Sequence, residues 1–389
     1  MEMIVKRLTL TDRIRMISVC KPWRVLLMNQ EIRKPVEIPW LMLPQRQLGN
    51  HVSFYNMNDE RVYNLKLPEF AHRGWCCGSS KGWLVMITGS KFNLNLFLLN
   101  PITGAQLRLP SLLTIPSFKK FVDHQLPKFR TFINMIEISS VNAEECIVAI
   151  ICNDCKALVL SRPGEKRWNI FHGDNQIYED ISFRNNVFDV SISGEESRAA
   201  ICTIKLTDCE VILRLIPFLH MGYLDVTEIA ISELEHLRVF EKIAAQKYLV
   251  ESDSELLIVH RIKDYFALKD DYWNHHEDNP KLFRYSQTNG FQVYKNNPNK
   301  GHCDRLNNLG DHRVLLLANS NSLSLSGKEY NEIHGNCMYI ASLYFPTFDG
   351  HDPIVCHESG AFYLEEGRIR RPIPSLQFGE EMLWFTPNL

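Results

Sequence analysis

Nothing in this sequence of 389 residues is built to cross a bilayer. The apolar runs Cys146–Ile151 and Val211–Leu219 fall short of the roughly 20 residues a spanning helix needs, and Arg214 and Pro217 break the second. Charged residues Lys6, Arg7, Asp12, Arg13 and Arg15 interrupt the opening stretch, so no secretory core is expected there. An excess of one charge is also missing. With 43 Lys and Arg against 45 Asp and Glu the net charge is -2, which leaves no basic field to draw nucleic acid or anionic lipid. Cysteine is sparse: 11 residues, an odd number, with no N-x-Ser/Thr acceptor anywhere. Reduced thiols in the cytoplasm or nucleus are expected, with no disulfide framework.

The absences extend to chemistry. Cys152-Asn153-Asp154-Cys155 has the spacing of half a zinc knuckle, but no second CxxC completes a tetrahedral set. It reads as strand-end cysteines around a turn, and the pair Cys76-Cys77 as small buried residues of a strand. His275, His276, Glu277 and Asp278 sit in a polar loop whose adjacent histidines point apart in any regular element. A G-x-S-x-G elbow, an H-E-x-x-H pair and a phosphate-cradling glycine loop are all missing. Neither catalysis nor a cofactor or metal is expected. Lys119, Lys120, Lys128 and Arg130 are interleaved with Phe118, Phe121 and Phe129, which is read as a loop between blades within Ser117–Phe132 rather than a patch for an acidic partner or single-stranded nucleic acid.

What is present begins with two short helices. Thr9 stands three residues before Asp12, a capping-box pattern, and Met16, Val19, Cys20 and Trp23 follow at helical spacing. Pro22 ends one helix and suits the start of another, which carries Trp23, Leu26 and Leu27 inward. On periodicity alone this is an ordinary helical hairpin. Its residue identities resemble the second half of an F-box, the helical module by which substrate receptors dock on the Skp-type adaptor of cullin ubiquitin ligases. The resemblance lies in Leu8, Asp12, Ile14 and the string Val19-Cys20-Lys21-x-Trp23-Arg24. The family's F-box opens with a further helix, so the resemblance implies a partial F-box over residues 1–34. It implies that Leu8, Asp12, Ile14, Val19, Cys20 and Trp23 contact the adaptor.

Beyond residue 35 the texture becomes that of strands. Pro35, Pro39 and Pro44 deny Val36–Leu43 a helix. Phe54–Pro68 reads as strand, polar turn, alternating strand and proline stop, and Leu98–Pro110 repeats that grammar. Self-similarity at roughly 40 residues is the period of a propeller blade of four antiparallel strands. Cys76–Ile87 supplies two strands around Gly-Ser-Ser-Lys-Gly. Hairpins follow at Ala157–Ile170, with Trp168 as an inward anchor, at Val187–Leu206, and at Lys247–Arg261 turning at Ser252-Asp253-Ser254. Phe291–Lys295, Val314–Leu325, Met338–Ala341 and Ile354–Ile369 are strand-like. Ile231–Ala245 alone has helical spacing and is read as a helix or a long, partly helical insertion. The first strand and the segment Ile354–Phe385 are expected to meet in one blade, closing the ring.

Over its whole length the sequence resembles plant F-box proteins with a KIB-type, kelch-like β-propeller. The shared strings are Cys76-Cys77-Gly78-Ser79-Ser80-Lys81-Gly82-Trp83-Leu84, Leu99-Asn100-Pro101-x-Thr103-Gly104 with Leu107-x-Leu109-Pro110, Tyr248–Ser252, Gly335–Tyr339 and Trp384–Leu389. The expected fold is mainly β, a single propeller over residues 35–389 preceded by the short helical segment. The resemblance implies a substrate-recognition subunit of a Skp-cullin-F-box ubiquitin ligase. Its partners would be the adaptor and an unknown protein substrate. The alternative is a non-catalytic propeller scaffold whose partial F-box does not dock.

Overall fold

Strands buried on both faces read as unbroken apolar runs. Val148–Cys152, Ala157–Ser161 and Val314–Leu317 are of this kind in the computed structural model, and all are buried there. The structure describes residues 10–17, 19–27, 38–43, 49–90, 93–119, 132–152, 157–171, 177–193, 199–205, 237–268, 285–297, 302–318, 321–326, 335–341, 360–370 and 382–387. Helices α1 (Leu10–Ile17) and α2 (Lys21–Leu27) come first, and among the described residues no helix is long and apolar enough to cross a membrane.

The described strands form six sheets. β1 (Trp40–Met42), β2 (His51–Asn56) and β3 (Arg61–Lys66) begin the first. The second holds β4 (Trp75–Ser80), β5 (Trp83–Ser90), β6 (Asn93–Leu99) and β7 (Gln106–Arg108). The third holds β8 (Ile133–Ile138), β9 (Val148–Cys152), β10 (Ala157–Ser161) and β11 (Asn169–Phe171). β12 (Ile177–Arg184), β13 (Val187–Ser193) and β14 (Ala199–Lys205) make the fourth. The fifth has β15 (Leu237–Ser252), β16 (Glu255–Leu268), β17 (Tyr285–Asn297) and β18 (His302–Leu306). In the sixth are β19 (Arg313–Leu317), β20 (Leu323–Ser326), β21 (Cys337–Ile340), β22 (Gly360–Tyr363) and β23 (Arg368–Arg370). The last strand, β24 (Leu383–Phe385), returns to the first sheet and pairs antiparallel with β1, Trp40 opposite Phe385.

Each sheet is a blade of a six-bladed propeller. Strands β24, β4, β8, β12, β15 and β20 line the centre, each touching the next. Every seam carries its own apolar core. Trp40, Phe54 and Phe385 of blade 1 pack on Leu84, Met86 and Phe97 of blade 2. Val85 and Leu96 meet Ile136, Val148 and Trp168 at the next seam. The ring closes where Leu41, Tyr55 and Trp384 of blade 1 meet Val314, Leu316 and Tyr339 of blade 6. Radial closure leaves only short inner and outer strand edges, which is how a propeller limits pairing with other chains.

Three local readings change. Leu237–Ala245, expected as the end of a helix, belongs to strand β15; residues 231–236 lie outside the described residues. The local sequence has helical spacing, but β15 finds a cross-strand partner in β16 along its length, from Leu237 opposite Leu268 to Ser252 opposite Glu255. Tertiary pairing overrides a weak local preference. Gly78, Ser79 and Ser80 are strand rather than turn, and only Lys81 and Gly82 bend the β4–β5 hairpin. Of the described strands of Ile354–Phe385, the segment expected beside the first strand, only β24 joins blade 1; β22 and β23 extend blade 6, where β19 lies between β20 and β21 and runs parallel to β21.

Candidate functional site

The inner strands carry polar side chains where a core would be apolar, and those side chains tie the blades together. The tie begins at the β4–β5 turn. Lys81 has φ +47° and Gly82 φ +83°, the backbone of a tight primed hairpin turn, for which Asn-Gly is the favoured pair. A lysine there is strained, and its side chain gives the reason. Its Nζ donates to Glu137 Oε1 at 2.6 Å and to the Ile138 carbonyl of blade 3, and it lies 4.9 Å from the centre of the Phe183 ring of blade 4. Ser80 Oγ donates to Glu137 Oε2 at 3.2 Å and accepts from the Ile138 N–H. On the other side Ser79 Oγ donates to the carbonyl of Trp384 in the closing strand.

The remaining seams follow similar logic. Asp180 is fully buried; its Oδ2 accepts the Leu249 N–H of blade 5 at 2.6 Å and its Oδ1 accepts the Ile181 N–H at 2.7 Å. Burial pushes its carboxyl well above the usual carboxylate range, against the pull of those two N–H groups. Beside it Lys247 is bound to Glu179 at 2.7 Å, and Glu179 also accepts from Ser191. His260, opposite Lys247 in the ladder, is pushed down to about 3 by burial and then by that ammonium, so it stays neutral. Ser252 and Ser324 hydroxyls join blades 5 and 6 at 2.8 Å, and Arg313 of blade 6 reaches Asp253 at 3.0 Å. Trp384 Nε1 donates to Leu317 O at 3.2 Å, joining blade 6 to blade 1.

The turn residues are equally specific. Asn100 Oδ1 accepts from Ile102 and Thr103 N–H, and Asn56 Oδ1 does the same for Asn58. The two copies of the strand-turn-strand grammar therefore share their turn chemistry. Asn336, at φ +59°, accepts the Leu309 N–H and donates to Glu365. A Cβ on Gly335 would stand 1.9 Å from the Asp311 carbonyl oxygen, so only glycine fits. Trp168 is buried, as its reading as an anchor requires, and its indole donates to Pro110 O at 3.1 Å. Phe118, in the basic-aromatic stretch, is core: it packs edge-on against Phe132 at 4.7 Å. Residues 120–131 and 269–284 lie outside the described residues, and so do Cys155 and the histidine pair. Among the described residues no group of His, Cys, Asp or Glu is placed to hold a metal ion.

The helical pair presents a different surface. α1 stops at Ile17, and the Val19 N–H closes a turn onto Met16 O, so Val19 and Cys20 lie in the connection rather than on one helical face with Met16. Cys20 O accepts from Arg24 N–H and begins α2, with Pro22 in its first turn. Val19 is 65% and Val25 63% exposed, Cys20 is exposed, and Trp23 is half-buried. Asp12 is half-buried and paired with Arg15 at 3.2 Å. Arg13, a charged residue, is buried, as is Leu27. The side chains of Leu8 and Ile14 lie outside the described residues. Reading the sequence missed Lys81, Glu137, Glu179 and Lys247 as a set. The one available signal was a lysine at a turn position that favours asparagine.

The KIB1-4 beta-propeller family profile matches residues 54–363. One Arabidopsis thaliana F-box protein is 23% identical over all of this chain and 95% of its own length. A second is 22% identical over 99% of this chain and 94% of its own. A third is 29% identical over 29% of each. Among solved structures, the Myceliophteria thermophila Cps50 (Swd1) beta-propeller domain aligns over 87% of this chain and 86% of its own at 11% identity and a TM-score of 0.34. With the family profile covering most of the blades just described, the chain belongs to the KIB1-4 beta-propeller family.

Proposed function

We propose that this protein is the substrate-recognition subunit of a Skp-cullin-F-box ubiquitin ligase, with residues 1–34 docking the adaptor and residues 35–389 binding a target protein. The observation that carries the reading is the end-to-end match to F-box relatives. A helical pair with exposed Val19, Cys20 and Val25 stands ahead of the closed propeller, which agrees with it. A latched ring is a rigid platform whose loops are free to vary, and such a platform needs no reactive group to act. Holding a target beside a ubiquitin-charged enzyme raises the local concentration of its lysines, so proximity does the work. The site of action is the cytoplasm or nucleus. Leu8, Asp12, Ile14, Val19, Cys20 and Trp23 are the residues assigned to the adaptor contact.

The burial of Arg13 and Leu27 supports a second reading, in which the helices serve the chain itself and the propeller is a scaffold that does not dock. Pulldown with a Skp-type adaptor separates the two. Interface energy concentrates in a few anchors, so Trp23→Ala is expected to weaken binding by about 2 kcal/mol. Val19→Asp should do so without touching the buried face. Absence of adaptor binding, also from a version carrying a complete F-box helix in front, overturns the docking assignment.

A further inference from the structure

We propose that the β10–β11 turn, with the neighbouring end of β7, is a docking surface for an acidic, Asp- and Glu-rich segment of a protein partner. The proposal shares with the proposed function only the reading of the propeller as a binding platform. Four cations are gathered there. Arg162, Lys166 and Arg167 stand exposed on the turn, and Arg108 stands exposed at the end of β7. The Gly164 N–H donates to Arg108 O at 2.9 Å, which brings the turn of blade 3 against the outer strand of blade 2.

The carboxylate within this group is already engaged. Glu165 Oε2 accepts from Ser161 Oγ at 2.6 Å and from the Arg162 N–H at 3.0 Å, so it serves the turn's own fold. Ser161 Oγ also reaches Arg167 O at 3.2 Å, and the next residue, Trp168, is anchored in the core. Gly164, at φ +85°, lets the chain turn this sharply. The cations therefore project from a fixed backbone, which lowers the ordering cost of binding.

Three of the four cations are arginines, whose planar forks fit carboxylates two oxygens at a time. The four stand at separate backbone positions, Arg162, Lys166 and Arg167 on the turn and Arg108 on the outer strand. That spacing suits successive carboxylates on an extended segment better than a single phosphate. Stacking for nucleic-acid bases is not provided by the turn's aromatic residue, because Trp168 is buried.

The test is fluorescence anisotropy on the full chain with a labelled Asp/Glu-rich peptide. Its phosphoserine counterpart, a neutral peptide and a single-stranded RNA of equal charge are run beside it. The acidic peptide is expected to bind, and added salt should weaken it. Arg162→Glu with Lys166→Glu should weaken it by about tenfold or more, whereas Lys66→Glu, an exposed reversal on β3, should leave it unchanged. Thermal melts of each variant establish that the fold is kept. Equal binding of the neutral peptide, indifference to the double reversal, or preference for the RNA overturns the proposal. Tenfold preference for the phosphopeptide overturns the assignment to carboxylates. Adaptor pulldown of the same variants should be unaffected, so failure here is distinct from failure of the docking reading.

Discussion

Replacing Lys81 tests whether the side chain or the turn decides that position. Lys81→Asn installs the residue a primed turn favours and relieves a left-handed strain of about 1 kcal/mol. If the turn were all that mattered, the variant would gain stability. The ammonium, however, bonds Glu137 and Ile138 O and faces Phe183, and its loss leaves Glu137, only 9% exposed, with the Ser80 hydroxyl. Breaking a buried pair from one side costs about 3–5 kcal/mol, and an exposed pair under about 1. Lys81 is 32% exposed at its side chain, so the latch falls between these limits, at about 2–3 kcal/mol. Lys81→Met, which keeps the strain, should therefore cost about 2–3 kcal/mol, and Lys81→Asn about 1 less. Urea unfolding of both, with Glu137→Gln and the double variants, gives the coupling energy directly. Lys81→Asn as stable as the parent chain, with coupling near zero, would refute the reasoning.

Gly335→Ala should cost about 3 kcal/mol or fail to fold, since its Cβ meets the Asp311 backbone, while Gly49→Ala, with nothing within 4 Å, should change melting little. Asp180 has a folded-state pKa raised above its unfolded value, so its burial costs least below pH about 4 and progressively more as pH rises toward the folded value. Asp180→Asn should flatten that decline between pH 4.5 and 7 in urea midpoints, at the expense of one N–H acceptor; an unchanged slope counts against the assignment. Burial pushes the thiols of Cys146 and Cys202 up to about 11 and that of Cys337 up to about 12. Alkylation mapped by mass spectrometry at pH 8 should therefore label exposed Cys20 well before these three. Trp384→Phe keeps the packing but strips Leu317 O of its indole donor, for a loss of about 1–2 kcal/mol in thermal melts.

The blades were legible because their signals are local. Asn56 and Asn100 announce their turns through chemistry that acts within three residues, and the apolar runs of β9, β10 and β19 reflect burial on both faces. Closure of the ring was legible from the need to cover an edge. The end of β15 was not, because Leu237–Ala245 has a helix's spacing and only its partner strand makes it extended. The place of β19 beside β21 was hidden for the same reason: pairing partners leave no mark on local pattern. Lys81 and Glu137 are far apart in sequence, and nothing near either names the other. On the adaptor side the apolar residues of α1 and α2 were visible, but which of them face outward was not. Arg13 shows this most clearly, a charged residue that the structure buries.

Because β1 pairs with β24, the first blade is completed by strands from opposite ends of the sequence. During synthesis β1 must wait with one edge uncovered until Leu383–Phe385 leaves the ribosome. Every other blade can assemble as its own strands emerge. Pairing β1 with β24 closes a very long loop, and strand pairing at such separation is slow and leaves an edge open to aggregation until it is made. Loss of Trp384 and Phe385 would remove the residues opposite Leu41 and Trp40 in that pairing. It would open both seams of blade 1 at once, the one with blade 2 that Phe385 fills and the one with blade 6 that Trp384 fills.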